Sequence, residues 1–162
     1  MHYLSRFASS IANFKAVMWR KIERRGLPES ISEAEARRWV DRLAERFTAL
    51  GLLDDAAFAQ GRARSLLRRG RPSRRIQATL VAAGLPPEAA ADAVEGLAEQ
   101  TNDVDLDAAL AFARRKRVGP YARSPAAPER RQKDLAAFAR AGFSFQMARR
   151  ILDMAPDEEE IR

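Results

Sequence analysis

Along almost the whole chain, apolar residues recur at intervals of three and four, the spacing of helices with one buried face. Phe7, Ile11, Phe14, Met18 and Ile22 follow it in the first 25 residues. Ser9-Ser10 divides that stretch into a short first helix and a longer second one with Ser10 at the N-cap. Gly26-Leu27-Pro28 ends the second helix, because Gly tolerates the left-handed position past a helix end and Pro cannot continue the ladder. Ser32 followed by Glu35 is a capping box. Behind it Ala36, Trp39, Val40, Leu43, Phe47 and Leu50 form one stripe, closed by Gly51.

Leu52-Leu53-Asp54-Asp55 turns the next corner, with both leucines expected inside and one aspartate expected as a cap. Phe58, Gly61, Ser65 and Leu66 give the following helix its inward face, and Gly70-Arg71-Pro72 breaks it. Ser73 is expected to cap a short helix with Ile76, Leu80 and Ala83 inward, which stops at Gly84-Leu85-Pro86. Pro87 suits the first position of another helix, with Ala90, Val94 and Leu97 inward. After Thr101-Asn102-Asp103, Leu106, Leu110 and Ala113 mark a further helix. Gly119 to Pro128 reads as a loop. Leu135, Phe138 and Ala139 line a helix ended by Gly142, and Ser144 caps a last one with Phe145, Ala148, Ile151 and Leu152 inward. Sustained alternation of period two is missing, so the expected fold is all-α.

Gly26, Gly84 and Gly142 are 58 residues apart each time. Ile22, Leu80 and Phe138 stand four residues before them; Leu27, Leu85 and Phe143 follow directly. Trp39 and Leu97 lie thirteen beyond the first two glycines. A second register pairs Asp55–Ala59 with Asp107–Ala111, and Arg62 with Arg114. Such periodicity implies stacked supersecondary units that bury their faces against one another. The expectation is three tandem three-helix repeats, at residues 1–50, 51–101 and 102–155, in an elongated, slightly curved array with an acidic tail at 156–162.

Composition narrows the function. The 162 residues carry a net charge of +7, which favours polyanionic partners. The sequence has no cysteine, which excludes disulfides and thiolate chemistry. No apolar run approaches the roughly 20 residues needed to span a bilayer, and the N-terminus lacks the apolar core of a signal peptide. A cytoplasmic monomer without membrane contact is expected. His2 is the single histidine, and no nucleophile–base constellation or phosphate-binding glycine loop is present, so neither enzyme activity nor a cofactor is expected. Asp54-Asp55 could pair on a metal; the capping preference of aspartate assigns it instead to a helix start, and no metal site is expected.

The basic residues are the positive signal. Arg62, Arg64, Arg68, Arg69, Arg71, Arg74 and Arg75 crowd one corner, and Arg114-Arg115-Lys116-Arg117 is its counterpart further on. Lys15 to Arg25 supply a third group. Guanidinium forks suit phosphate and carboxylate alike, so the pattern fits DNA, an acidic protein groove, or plain solvated helix faces. Tyr121 is a candidate for base stacking; Trp19 is expected exposed and Trp39 in the core. A direct DNA-binding module of the helix-turn-helix kind is the alternative function.

The string from Gly51 to Ala59, then Arg68-Arg69-Gly70-Arg71-Pro72-Ser73-Arg74-Arg75-Ile76 with Leu80 and Gly84-Leu85-Pro86, resembles the bacterial RecX regulatory family. So do Ala113-Arg114-Arg115-Lys116, Arg131-Gln132-Lys133 and Phe138 to Phe145. The resemblance runs from about residue 3 to 154. It implies tandem three-helix repeats. It also implies a protein that lodges in the groove of the RecA recombinase filament on single-stranded DNA and inhibits strand exchange, ATP hydrolysis and coprotease activity. It implies affinity for single-stranded DNA and, without sequence preference, for duplex. Arg131 joins the arginines above as a candidate contact on this ground.

Overall fold

The computed structural model describes residues 9–122 and 128–155. The expected helix up to Phe7, part of the Gly119–Pro128 loop and the acidic tail lie outside the described residues. Among the described residues eight α-helices follow one another: α1 (Ile11–Arg25), α2 (Glu33–Ala49), α3 (Asp55–Arg68), α4 (Ser73–Ala82), α5 (Pro87–Ala98), α6 (Val104–Lys116), α7 (Pro128–Ala141) and α8 (Phe145–Leu152). A single 3-10 turn, Gly119–Tyr121, lies between α6 and α7, and the described residues contain no strand.

The caps explain most helix starts. Ser10, Ser32, Asp54, Asp103 and Ser144 each accept a hydrogen bond from the backbone N–H three residues on, satisfying one of the donors a helix start leaves over. The helices α4 and α5 start differently. Pro72 and Pro86 hold their N-cap positions and supply no side-chain bond. Ser73 is therefore the first residue of α4 and not its cap. Gly84 and Gly142 end α4 and α7 at φ 87° and 100°, and the N–H of the next residue reaches back five positions, Leu85 to the Leu80 carbonyl and Phe143 to that of Phe138. That wrap needs the left-handed conformation, which glycine adopts without a Cβ penalty.

Three cores follow in chain order. Phe14, Ala44 and Leu53 are buried together with Phe47 beside them, the two rings 5.5 Å apart. The helices α3, α4 and α5 close around Ala59, Ala63, Leu66, Ile76, Leu80, Leu85, Ala90, Ala93 and Leu97. Then α6, α7 and α8 close around Phe112, Phe138 and Phe143, whose ring centroids are 4.8 to 5.6 Å apart in all three pairings. Tilted and edge-on aromatic pairs of this kind contribute about 0.5–1.5 kcal/mol each beyond their buried area. Leu67 packs against both of the larger cores and joins them.

The inward faces differ from those the large apolar residues suggest. On α3 the buried positions are Ala59, Ala63 and Leu66, while Gly61 is exposed and Phe58 and Ser65 are half-buried. On α6 they are Ala108, Ala109, Phe112 and Ala113, with Leu106 and Leu110 at the margin. Ala93 replaces Val94 as the buried residue of α5, and Ala139 of α7 is exposed. Alanine sets these faces because it lets helix backbones approach closely, and bulkier neighbours then fill the flanks. Only one of the two corner leucines goes inside: Leu53 is buried and Leu52 exposed, where the chain turns past the end of α2 with both N–H groups reaching back to the Phe47 carbonyl. Trp39, Leu43, Leu50 and Phe145, expected inward, are also exposed.

Candidate functional site at a basic seam

The same contacts recur where one group of helices meets the next. The Ser10 hydroxyl donates to the Ala83 carbonyl at 2.6 Å, so the end of α4 abuts the start of α1. Gly84 sits so close to Ala12 that a Cβ would come within 2.5 Å of its side chain. One group further on, Gly142 at the end of α7 packs on the Arg75 stem at the start of α4, where a Cβ would lie 2.9 Å from Cγ. Gly26 has no neighbour within 4 Å of its Cβ position. The three glycines that share a 58-residue spacing therefore share a role twice, and the first stands open.

Carboxylates recur with them. Asp55 accepts the Ile11 N–H at 2.8 Å, and Asp105 accepts that of Ser73 at 2.7 Å. Each serves the first residue of a helix in the preceding group, α1 and α4. Asp54 and Asp103 cap α3 and α6 in turn. The correspondence is thus Asp54 with Asp103 and Asp55 with Asp105, instead of the pairing of Asp55 with Asp107.

The seam between the second and third groups gathers the arginines. Five of the eight residues from Arg68 to Arg75 are arginine, and all five are exposed. Gly70 fits against the Phe112 backbone, and the Arg115 guanidinium crosses from α6 to donate to the Arg69 carbonyl at 2.6 Å. Cations at the C-terminal ends of α3 and α6 suit the local helix dipole. Arg74 and Arg75 occupy the first turn of α4, where positive charge opposes the dipole; α4 has no acid of its own there, and the nearby carboxylate is that of Asp105 on the Ser73 N–H.

The other candidates take varied positions. At about 100° per residue, Arg62 and Arg69 share one side of α3 while Arg64 and Arg68 share another. Arg64 lines a shallow groove with Gln60 of α3 and Ala93, Gly96 and Leu97 of α5. The Arg114 guanidinium lies 5.1 Å over the Tyr121 ring, so that ring already has a cationic partner and is half-buried. Arg115 lies 5.6 Å from the Phe112 ring. Lys116 is exposed. Arg117 ends α6 in the left-handed region at φ 56° and ψ 52°, uncommon for a side chain of this kind. Arg131 is half-buried, pairs with Asp153 and donates to the Leu152 carbonyl at 3.5 Å. It fastens α7 to the end of α8 and does not join the exposed seam. In the first group, Lys15 pairs with Asp41 at 2.9 Å. Trp19, expected exposed, is half-buried beneath the Arg37 guanidinium, 4.0 Å from its ring centre.

Two exposed residues flank the glycine that touches the seam. Arg140 is two positions before Gly142, the residue that touches Arg75, and Phe145 is three after it, 66% exposed. Among the described residues, Asp54 and Asp55 are both engaged as caps, and no group of three or more His, Cys, Asp or Glu could hold a metal ion. None of the described helices is long and apolar enough to cross a membrane.

Described residues that form helices and no strand, with one set of capping and glycine contacts repeated between successive groups of helices, define a tandem helical protein. It belongs to the RecX family. The family model for the second three-helix domain of RecX matches residues 54–94, from the cap of α3 into α5. A relative from Myxococcus xanthus named Regulatory protein RecX is 39% identical over 158 residues, covering 96% of this chain and 83% of the relative. Another of that name, from Agrobacterium fabrum, is 38% identical over 108 residues, 67% of this chain and 55% of the relative. No solved structure gives a significant match.

Proposed function

We propose that this chain is a non-enzymatic regulator that binds the RecA filament on single-stranded DNA and inhibits its recombinase, ATPase and coprotease activities. Membership of the RecX family supports the choice of partner. The observation that supports the binding mode is the seam, where Arg68, Arg69, Arg71, Arg74 and Arg75 are exposed and Arg115 crosses from α6 to the Arg69 carbonyl. Arg74 and Arg75 stand exposed at the start of α4 and, with Arg68, Arg69 and Arg71, leave a cluster of like charge at the surface, which supports an anionic partner. A filament groove lined by carboxylates and DNA phosphate matches it in charge.

The chain divides into three-helix units at 1–50, 51–101 and 102–155 on this reading. Successive units engage successive protomers, and linkage turns weak contacts into a strong one through effective concentration. Bridged protomers are held in one state, and turnover falls. The protein works in the cytoplasm as a monomer, without a cofactor, and meets DNA itself weakly and without sequence preference. The test is a titration of RecA ATPase on single-stranded DNA.

Direct DNA reading by a helix-turn-helix is the second possibility, and one observation favours it: Arg74 and Arg75 stand where a recognition helix places its base contacts. Asp105 and Gly142 already crowd that helix start, which opposes groove entry. A sequence-specific footprint on bare duplex would support this reading; weak, sequence-blind binding supports the regulator.

A further inference from the structure

The last helix delivers the chain to the end of α6. Gly119 stands two residues past the basic run and packs on α8: a Cβ there would lie 2.7 Å from the Ile151 carbonyl oxygen and 3.4 Å from Leu152 Cα. The C-terminal ends of α6 and α8 therefore lie side by side. Arg114, Arg115, Lys116 and Arg117 are all exposed at the end of α6. Beyond α8 the sequence continues to Asp157, Glu158, Glu159 and Glu160, and Arg162 is the one cation of residues 156–162. Asp157 is five residues past Leu152, a span of at most about 18 Å, and Arg117 is two residues before Gly119, at most about 7 Å. Four carboxylates are tethered within reach of the basic run.

We propose that residues 157–160 are an autoinhibitory segment: their carboxylates pair with the basic run at the end of α6 and screen it until a polyanion displaces them. The charges already in place around the end of α8 direct the segment there. Arg131 and Arg149 share Asp153, and Arg150 pairs with Asp103 at 3.8 Å. Arg115 donates to the Arg69 carbonyl, and Arg114 lies over the Tyr121 ring. Lys116 and Arg117 have no ion-pair partner among the described residues.

The carbonyl ends of α6 and α8 are both negative, so the helices repel the segment and the cations alone attract it. Each exposed pair is worth little and weakens with salt. The tether compensates, because a link of a few residues gives an effective concentration on the order of millimolar, which a free polyanion must outcompete. Carboxylates and phosphates suit guanidinium alike, so segment and polyanion contend for one surface. The inference rests on the basic run meeting polyanions and does not depend on RecA being the partner.

The experiment uses the full chain and a fluorescent oligothymidylate, with anisotropy reading affinity at low salt. Asp157→Asn with Glu158→Gln, Glu159→Gln and Glu160→Gln should tighten binding at least about fivefold. In a background of Lys116→Gln with Arg117→Asn, asparagine being at ease in the left-handed position, the same four changes should alter it by less than about twofold. Neutralising Glu88, Asp92, Glu95 and Glu99 of α5 removes as much charge, and its effect should be the same in both backgrounds. A tail effect equal in the two backgrounds is long-range charge alone and overturns the proposal, as does affinity unchanged by tail neutralisation. Carbodiimide coupling, which joins carboxylates to lysine amines in contact, reads the location independently. The chain has four lysines, Lys15, Lys21, Lys116 and Lys133. Coupling of residues 157–160 to Lys116 within one chain is expected. Coupling to another lysine in its place, or between two chains, puts the segment elsewhere and overturns the proposal equally.

Discussion

The N–H of Ser73 donates to the carboxylate of Asp105 at 2.7 Å, across the boundary between two groups of helices. Pro72 gives α4 no side-chain cap, so a helix in the next group supplies what the local sequence omits. Ile11 and Asp55 repeat the arrangement at 2.8 Å. The bond ties the folding of one group to the presence of the next. Asp105→Ala should cost about 1–2 kcal/mol and speed hydrogen exchange at the Ser73 amide; Asp105→Asn, which keeps an acceptor oxygen, should cost less. Urea unfolding and amide exchange check both.

The three spaced glycines should respond unequally to alanine. Gly26 stands at φ 75° and ψ 150° in open space, so Gly26→Ala bears the backbone penalty alone, about 1–3 kcal/mol. Gly84→Ala adds a collision with the Ala12 Cβ at 2.5 Å, and Gly142→Ala presses on the more yielding Arg75 stem. The expected order of destabilisation is Gly84, then Gly142, then Gly26. Denaturation midpoints of the three variants decide it.

Arg74 should prove to be a residue that stability would not choose. In the first turn of α4 it opposes the helix dipole. Arg74→Gln, which removes the charge without adding a second anion beside Asp105, should leave stability unchanged or raise it by up to about 0.3–1 kcal/mol at low salt and weaken binding to polyanions. A substitution that lowers both would mean that the guanidinium has a structural partner. Thermal unfolding paired with a heparin or single-stranded DNA titration separates the outcomes.

Arg117 stands in a left-handed position that glycine fills more readily. Arg117→Gly should stabilise α6 by up to about 1 kcal/mol. Unchanged or lower stability would show that the guanidinium makes a contact worth as much as the strain.

The helix boundaries were legible because caps and glycine stops are local chemistry. Ser10, Ser32, Asp54, Asp103 and Ser144 each act within their own turn, and Gly26, Gly84 and Gly142 end helices wherever the chain places them. Ser73 misled because its role is settled by Asp105, 32 residues away. The inward faces of α3 and α6 were shifted for a related reason. Apolar periodicity weights Phe58 and Leu110, whereas close packing selects Ala59, Ala63, Ala108 and Ala109. Trp39 and Phe145 looked like core residues because hydrophobicity records what a side chain prefers and not whether another helix covers it. The arginine corner was visible as composition. The division between Arg131, which is tied to Asp153, and the exposed Arg74 required the fold.

The regulatory account is tested most directly by RecA ATPase on single-stranded DNA, titrated with this protein and with the variant in which Arg68, Arg69, Arg74 and Arg75 are all changed to Glu. The account predicts that the wild-type chain lowers the rate at substoichiometric amounts, and that the variant, with helicity intact, needs at least about tenfold more. A rate unaffected by equimolar wild-type protein at low salt would contradict the claim; equal inhibition by the variant would remove the seam from the contact.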